Sequence, residues 1–281
     1  MSKFPSKRVA ITGAGSGLGR ALALRYAKSG FRVAVLDIDL ARAEETLALV
    51  KSAGGDGFAA ALDVRSDADF IALAARLERD WGGVDVVINN AGVASVGEVL
   101  KAPLDEWQWM LDINLLGVVR GCKYLGALLA RQRAGHIVNT ASFAGLAGAP
   151  GVASYGVAKA GVVALSEQLR AELHALGVGV TVVCPAFFAT NLMESMRGGS
   201  EQVKQTVNRW MRASTLNASD IAEMVYKAVE RNRFMLIPHR KARHQVLLKR
   251  LLPEFYFRKL IAMTNKISTR VETDPNVQAP L

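Results

Sequence analysis

The stretch SYGVAKAG, residues 154–161, sets Tyr155 and Lys159 four positions apart. On a helix that spacing stacks both side chains on one face. The pair is either a packed surface couple or a phenol whose pKa a neighbouring ammonium lowers, so that it can take a proton near neutrality. Of the chain's five tyrosines only Tyr155 has lysine at i+4. A second candidate is TGAGSGLG at 12–19, in which Gly13, Gly17 and Gly19 are set among Ser16 and Leu18. Without Cβ atoms, these positions let backbone amides and a helix N-terminus approach a pyrophosphate closely; an ordinary glycine-rich turn has the same composition.

Asp37 follows Gly17 by 20 residues, at the end of the next apolar run. A carboxylate there would accept hydrogen bonds from the adenosine ribose hydroxyls and repel a 2′-phosphate; its competing role is a strand-end cap. Neither Ser16 nor Ile38 is basic, and Arg42, one turn on, is expected to be solvated. NAD is therefore expected rather than NADP. Asp63, with Val64 after it, would either meet the adenine amino group or cap a helix.

These residues need a frame. RVAIT (8–12), FRVAVLD (31–37), GFAAALD (57–63), VDVVINN (84–90), GHIVNTAS (135–142), VGVTVVCP (178–185) and RFMLIP (233–238) read as strands apolar enough to be covered on both faces. Helical patterns fill 17–29, 40–53, 67–80, 105–132, 153–175 and 219–231. The alternation predicts an α/β Rossmann-type fold: a doubly wound, mostly parallel, seven-stranded sheet with helices on both faces. Residues 1–238 form the expected domain and 239–281 an extension. The polar pieces TGAGSGLG, LDID, LDV, NNAG, NTAS and CPAFFAT all follow strands. In such sheets, ligands bind at that edge.

The bulk numbers bound the class. Hydrophobic residues make up 51% of the 281 and charged ones 21%, enough for a core and contrary to disorder. Cys122 and Cys184 are far apart and have no CxxC partner, which argues against a disulfide framework or zinc site and for a reducing, cytoplasmic setting. The four histidines form no ligand set, so no metal is expected. The start MSKFPSKRVAIT lacks a signal-like apolar stretch, and no uncharged apolar run reaches a membrane-spanning length. Of the net charge of +10, +8 falls in residues 231–281, so basicity belongs to a tail and does not imply nucleic-acid binding.

The motifs together resemble the short-chain dehydrogenase/reductase family, in its compact single-domain branch, over about residues 7–238. The resemblance rests on TGAGSGLG, NNAG (89–92), NTAS (139–142) and Tyr155 with Lys159. It implies a catalytic tetrad of Asn114, Ser142, Tyr155 and Lys159. Tyr155 would be the acid/base, and Lys159 would lower its pKa and hold the nicotinamide ribose. Ser142 would bond the substrate oxygen, and Asn114 would interrupt a helix ladder to hold a water leading from Lys159. It further implies that Asn90, Ala91 and Gly92 turn beside the nicotinamide, and that Pro185, Phe188 and Thr190 meet its carboxamide. Ala186 departs from the family's usual Pro-Gly.

By the same resemblance, residues 187–215 occupy the place of a substrate lid. Phe187, Leu192, Met193 and Met196 would give it an apolar cover, and Phe143, with Leu146 and Val152, would add to the pocket wall. Arg197 and Arg212 are expected to be exposed. The expected activity is hydride transfer between NAD(H) and the CH–OH or C=O group of an apolar substrate such as a steroid, retinoid or long-chain alcohol. The alternatives are a catalytically weak nucleotide sensor and an NADP-dependent carbonyl reductase. A homodimer or homotetramer through 105–132 and 153–175 is implied. In the tail, Leu247, Leu251 and Phe255, or Leu248, Leu252 and Tyr256, recur at i+4 among Arg and Lys, with Pro253 starting a second helix. Such a pair lies on an anionic membrane surface, docks on a partner subunit or caps the cleft.

Overall fold

The computed structural model describes residue 4, residues 6–199 and residues 201–272, the side chains of 201–204 and 263–272 excepted. Seven strands, β1 (Arg8–Thr12), β2 (Arg32–Asp37), β3 (Asp56–Ala61), β4 (Val86–Asn89), β5 (Gly135–Thr140), β6 (Val178–Val183) and β7 (Met235–Leu236), form one parallel sheet in the order 3-2-1-4-5-6-7. The order reverses between β1 and β4, where a crevice opens beyond the strand ends. All five residues of β1 and all four of β4 are buried, as sheet covered on both faces requires.

Helices fill the connections: α1 (Gly17–Lys28), α2 (Leu40–Ser52), α3 (Asp67–Trp81), α4 (Leu104–Leu111), α5 (Gly117–Gln132), the short α6 (Ala144–Ala147), α7 (Ala153–His174), α8 (Glu201–Arg212), α9 (Ala218–Glu230), α10 (Arg240–Leu251) and α11 (Pro253–Glu272). On one face of the sheet, Leu22 and Tyr26 of α1 pack with Ile221 and Val225 of α9 over Val9, Ile11 and Val33. On the other, Phe70 and Leu77 of α3, Leu125 and Leu129 of α5 and Val162 of α7 cover Ala10, Val87 and Ile137.

The expected strand 233–238 shrinks to Met235–Leu236 at the sheet edge, where Pro238 has no amide to extend a ladder. The expected helix 105–132 is divided. Between α4 and α5 the turn Asp112–Leu116 is a π-helix with Asn114 buried at its centre, so one extra residue is squeezed into the ladder. By length and mean hydropathy the whole stretch Leu104–Gln132 could cross a membrane, but half of its most apolar window is buried inside the fold. It reads as a core helix.

Arg8 and Asp85 form a buried ion pair where β1 and β4 begin. The Arg8 guanidinium donates from Nε to Asp85 Oδ2 at 3.0 Å and from Nη2 to Oδ1 at 3.0 Å, while the Arg8 amide donates to Oδ2 at 2.8 Å. Nη1 reaches the Trp81 carbonyl at the end of α3. Removing one member strands the other charge in the core. Asp85→Ala should therefore lower unfolding free energy by about 3–5 kcal/mol, read as a lower urea midpoint. A loss under about 1 kcal/mol would show that water reaches Arg8 freely.

Candidate functional site

The strand ends converge on one cleft of about 600 Å³, lined by Gly13, Ser16, Gly17 and Leu18 of the glycine loop, Asp37, Asp63 and Val64, Asn90, Ala91 and Gly92, Tyr155 and Lys159, and Pro185, Phe188 and Thr190. Ser16 is the N-cap of α1, but its side chain caps nothing and the first turn carries no acid. The helix start can therefore offer its amides and positive dipole end to an anion. A Cβ on Gly19 would overlap the Gly13 carbonyl oxygen, so the loop can fold back this tightly only with glycine there. Asn90 then locks it, Nδ2 donating to the carbonyls of Thr12 at 3.0 Å and Gly13 at 3.2 Å.

Asp37 Oδ2 accepts from the Gly15 amide at 2.8 Å and Oδ1 from the Asp39 amide at 3.1 Å. It is not the cap of α2: that is Asp39, which accepts from Arg42 N. Nor does Asp63 cap α3. Ser66 does, and Asp63 pairs with Arg65, which holds its carboxyl below the usual range. Both carboxylates remain on the cleft wall.

Arg42 is exposed, as expected, and also lines the cleft mouth. It pairs with Asp39 on its own turn, and Nη1 donates to Glu194 Oε2 at 2.9 Å. Glu194 belongs to the 3-10 turn Asn191–Ser195, so this exposed pair links α2 to the start of the segment expected to form a lid. A contact spanning 152 positions has no signature in spacing.

At the other end, α7 presents Tyr155 and Lys159. Its first turn is fixed by a buried polar chain: Ser154 Oγ lies 2.7 Å from Ser95 Oγ and donates to Glu106 Oε1 at 3.2 Å. Lys159 Nζ is buried and donates to the Thr140 carbonyl at 2.9 Å. A Cβ on Gly92 would come within 2.7 Å of Asn114 Oδ1 and 3.4 Å of Lys159 Nζ, so only glycine lets all three meet. Asn114 itself clamps Val93, Oδ1 accepting from its amide at 2.9 Å and Nδ2 donating to its carbonyl at 2.8 Å.

Lys159 is expected to lower the Tyr155 pKa; in the cleft as it stands other influences on the phenol are larger. Lys159 Nζ sits 5.8 Å from the Tyr155 ring centre and turns to Thr140. Burial raises the phenol's pKa, and the hydrogen bond to Ser142 offsets this only in part. Burial pushes Lys159 itself down to about 8.

Of the expected substrate contacts, Leu192 lines the cleft, joined by Trp109, Ile113, Val93 and Ala141. Ser142, which is buried, and Phe143, Phe187, Met193 and Met196 fall outside its lining. Phe143 instead donates its amide to the Pro185 carbonyl. Phe187 is 47% exposed and packs on Trp210 of α8 at 5.5 Å. Arg197 and Arg212 are exposed, the former with its guanidinium over the Trp109 ring.

The short chain dehydrogenase family model matches residues 7–201. The chain belongs to the short-chain dehydrogenase/reductase family. It is 41% identical over 192 residues to the "Probable oxidoreductase EphD" of Mycobacterium tuberculosis, covering 68% of this chain and 32% of that one. The chain thus spans about a third of the length of that relative. It is 33% identical over 197 residues to a 3-oxoacyl-[acyl-carrier-protein] reductase of Synechocystis, covering 70% and 80%. A short-chain dehydrogenase/reductase from Burkholderia phymatum, solved in complex with NAD, superposes over the full length of both chains with a TM-score of 0.83 at 29% identity. The uncapped start of α1, the close-packed glycine loop and the Asp37 carboxylate fit a dinucleotide.

The buried ammonium has a measurable cost. Below about pH 8 the native protein must hold a desolvated cation. Between that value and 10.5 the unfolded chain keeps a proton that the native state has released, so this residue's contribution to stability rises with pH. Lys159→Met should stabilise the cofactor-free fold by on the order of 1–3 kcal/mol near neutrality, the gain fading as pH approaches 10.5. A pH-independent difference in urea denaturation would show that Lys159 keeps its ordinary pKa.

Proposed function

We propose that the protein is an NAD(H)-dependent dehydrogenase or reductase acting on the CH–OH or C=O group of an apolar substrate. The observation that carries this is one cleft with two dissimilar ends. Asp37 braces the glycine loop at one, and Tyr155 and the buried Lys159 line the other.

When bound, the nicotinamide supplies hydride acceptance or donation. Tyr155 takes the alcohol proton in the oxidation direction and returns it in reduction. Ser142 donates to the substrate oxygen as charge develops there. Lys159 meets the ribose hydroxyls, and its charge favours the phenolate once the proton leaves. Asn114 keeps the Val93 turn and the π-turn in place so that a water can lead the proton out past Lys159. Leu192, Trp109 and Ile113 give the substrate end an apolar wall, which favours a bulky hydrophobic alcohol or ketone over a small acid. Leu116 and Val157, exposed on the helices that the family uses for assembly, support a homodimer or homotetramer. Buried, unbridged Cys122 and Cys184 accord with a cytoplasmic setting.

Tyr155→Phe should lower turnover of secondary alcohols with NAD⁺ by about 10²–10⁴-fold while NADH binding, followed by fluorescence, stays within a few-fold. Turnover retained in the variant would remove Tyr155 from the chemistry.

A second reading, NADP use, draws on Arg42, which faces the adenosine end beside Asp37. Its engagement with Asp39 and Glu194 leaves that end without free positive charge, and Asp37 would repel the phosphate. NADH should therefore bind at least about tenfold more tightly than NADPH, and Asp37→Asn should narrow the gap. Tighter NADPH binding by the unaltered protein would establish the NADP reading.

A further inference from the structure

The extension beyond β7 is anchored on the domain through contacts to α6. Lys249 Nζ donates to the Leu146 carbonyl at 2.7 Å and the Tyr256 hydroxyl to the Ala147 carbonyl at 3.0 Å. Both acceptors lie in α6, just after Ser142. Tyr256 and Ala242 are buried in this contact region. At about 100° per residue, Arg258 and Ile261 fall on the side of α11 away from Tyr256, with Phe255 flanking them. Leu251, Leu252 and Ile261 are 66%, 56% and 58% exposed, and Phe255 is exposed too.

Charge decides what this surface fits. Residues 240–262 hold seven Lys and Arg against Glu254 alone, and residues 231–281 carry +8 of the chain's +10. A second copy would bring two such faces together at like charge, so the occupant must be anionic. Arrangement then decides between an acidic protein and a lipid surface. Protein interfaces gather apolar side chains into a core depleted of charge, with ions at the rim. Here the cations stand among the apolar residues: Arg258 lies between Phe255 and Ile261 around the helix, and Lys259 Nζ is 4.5 Å from the Phe255 ring centre. That mixture suits the headgroup plane of a bilayer, where apolar side chains enter the acyl boundary while Lys and Arg reach up to phosphates on their aliphatic stems.

We propose that α10 and α11 dock the protein on an anionic bilayer surface, through Leu251, Leu252, Phe255 and Ile261 with Arg250, Arg258 and Lys259. The contact leaves α6 and the cleft on the side of the helix pair that faces the domain. This surface is independent of the chemistry proposed for the cleft.

The test is co-sedimentation of the full-length chain with vesicles of phosphatidylcholine alone and of phosphatidylcholine mixed with phosphatidylglycerol. Binding should be confined to the mixed vesicles and should weaken as salt is added. Arg258→Glu with Lys259→Glu, and separately Leu251→Asp with Ile261→Asp, should each reduce it by roughly tenfold or more. Unchanged NADH binding in both variants would show that the fold is intact. Failure to sediment with mixed vesicles, equal binding to both compositions, or binding untouched by either double substitution would overturn the proposal. An oligomer that Leu251→Asp with Ile261→Asp dissociates, without any vesicle binding, would assign the face to a second copy instead.

Discussion

The arrangement at the strand ends depends on keeping one ammonium out of water. Lys159 is buried, its Nζ donating to the Thr140 carbonyl, and burial pulls its pKa down to about 8. A cation in that position is costly unless its surroundings are held fixed. Thr140, at the last position of β5, supplies the carbonyl. Gly92 leaves the space, and Asn114 ties the β4 turn down so that the space does not close. The π-turn follows from the same demand: squeezing one residue into the ladder carries Asn114 inward, where its amide can clamp Val93. Stability is given up so that a charge stands beside a phenol, a trade common at sites that do chemistry.

That phenol is set by a different balance. In the wall of the cleft, desolvation raises the Tyr155 pKa by more than nearby Ser142 lowers it, so the phenol is held protonated. On the proposed reading, this is the appropriate resting state for a group that would give a proton to a carbonyl. For the reverse reaction, the pKa has to fall when a cationic ring and an alcohol enter the cleft. On that reading Lys159 would be the fixed part of the field and the cofactor the variable part.

Most of the frame is legible in the sequence because it is local. The strand–helix alternation, the glycine spacing, the Tyr–Lys step and the break at Pro253 are short-range patterns with direct physical causes. What is not legible is set by contacts between distant segments. Nothing near Arg42 announces Glu194, and composition alone does not say that Phe187 leans out on Trp210 while Leu192 turns into the cleft. The caps were similarly ambiguous. Asp37 and Asp63 have cap-compatible side chains, but Asp39 and Ser66, two and three residues later, cap the helices, while the earlier carboxylates, engaged by the Gly15 amide and by Arg65, line the cleft.

Two apparent oddities of the chain, Ala186 where the family has glycine and the long basic extension, meet at one histidine. His239 is the residue before α10, yet its ring does not cap the helix. Nδ1 accepts the Ala186 amide at 3.1 Å, and Nε2 lies 3.4 Å from Ser214 Oγ at the far end of the lid. Since Nδ1 accepts, the proton of the neutral ring sits on Nε2 and points to Ser214. Burial lowers the ring's pKa and so favours that neutral form. A glycine at 186 would leave this backbone freer, whereas alanine with its amide bound to His239 fixes the path from β6 into the lid. Through His239 the extension is thus joined to both ends of residues 187–215, the segment the family resemblance marks as a lid.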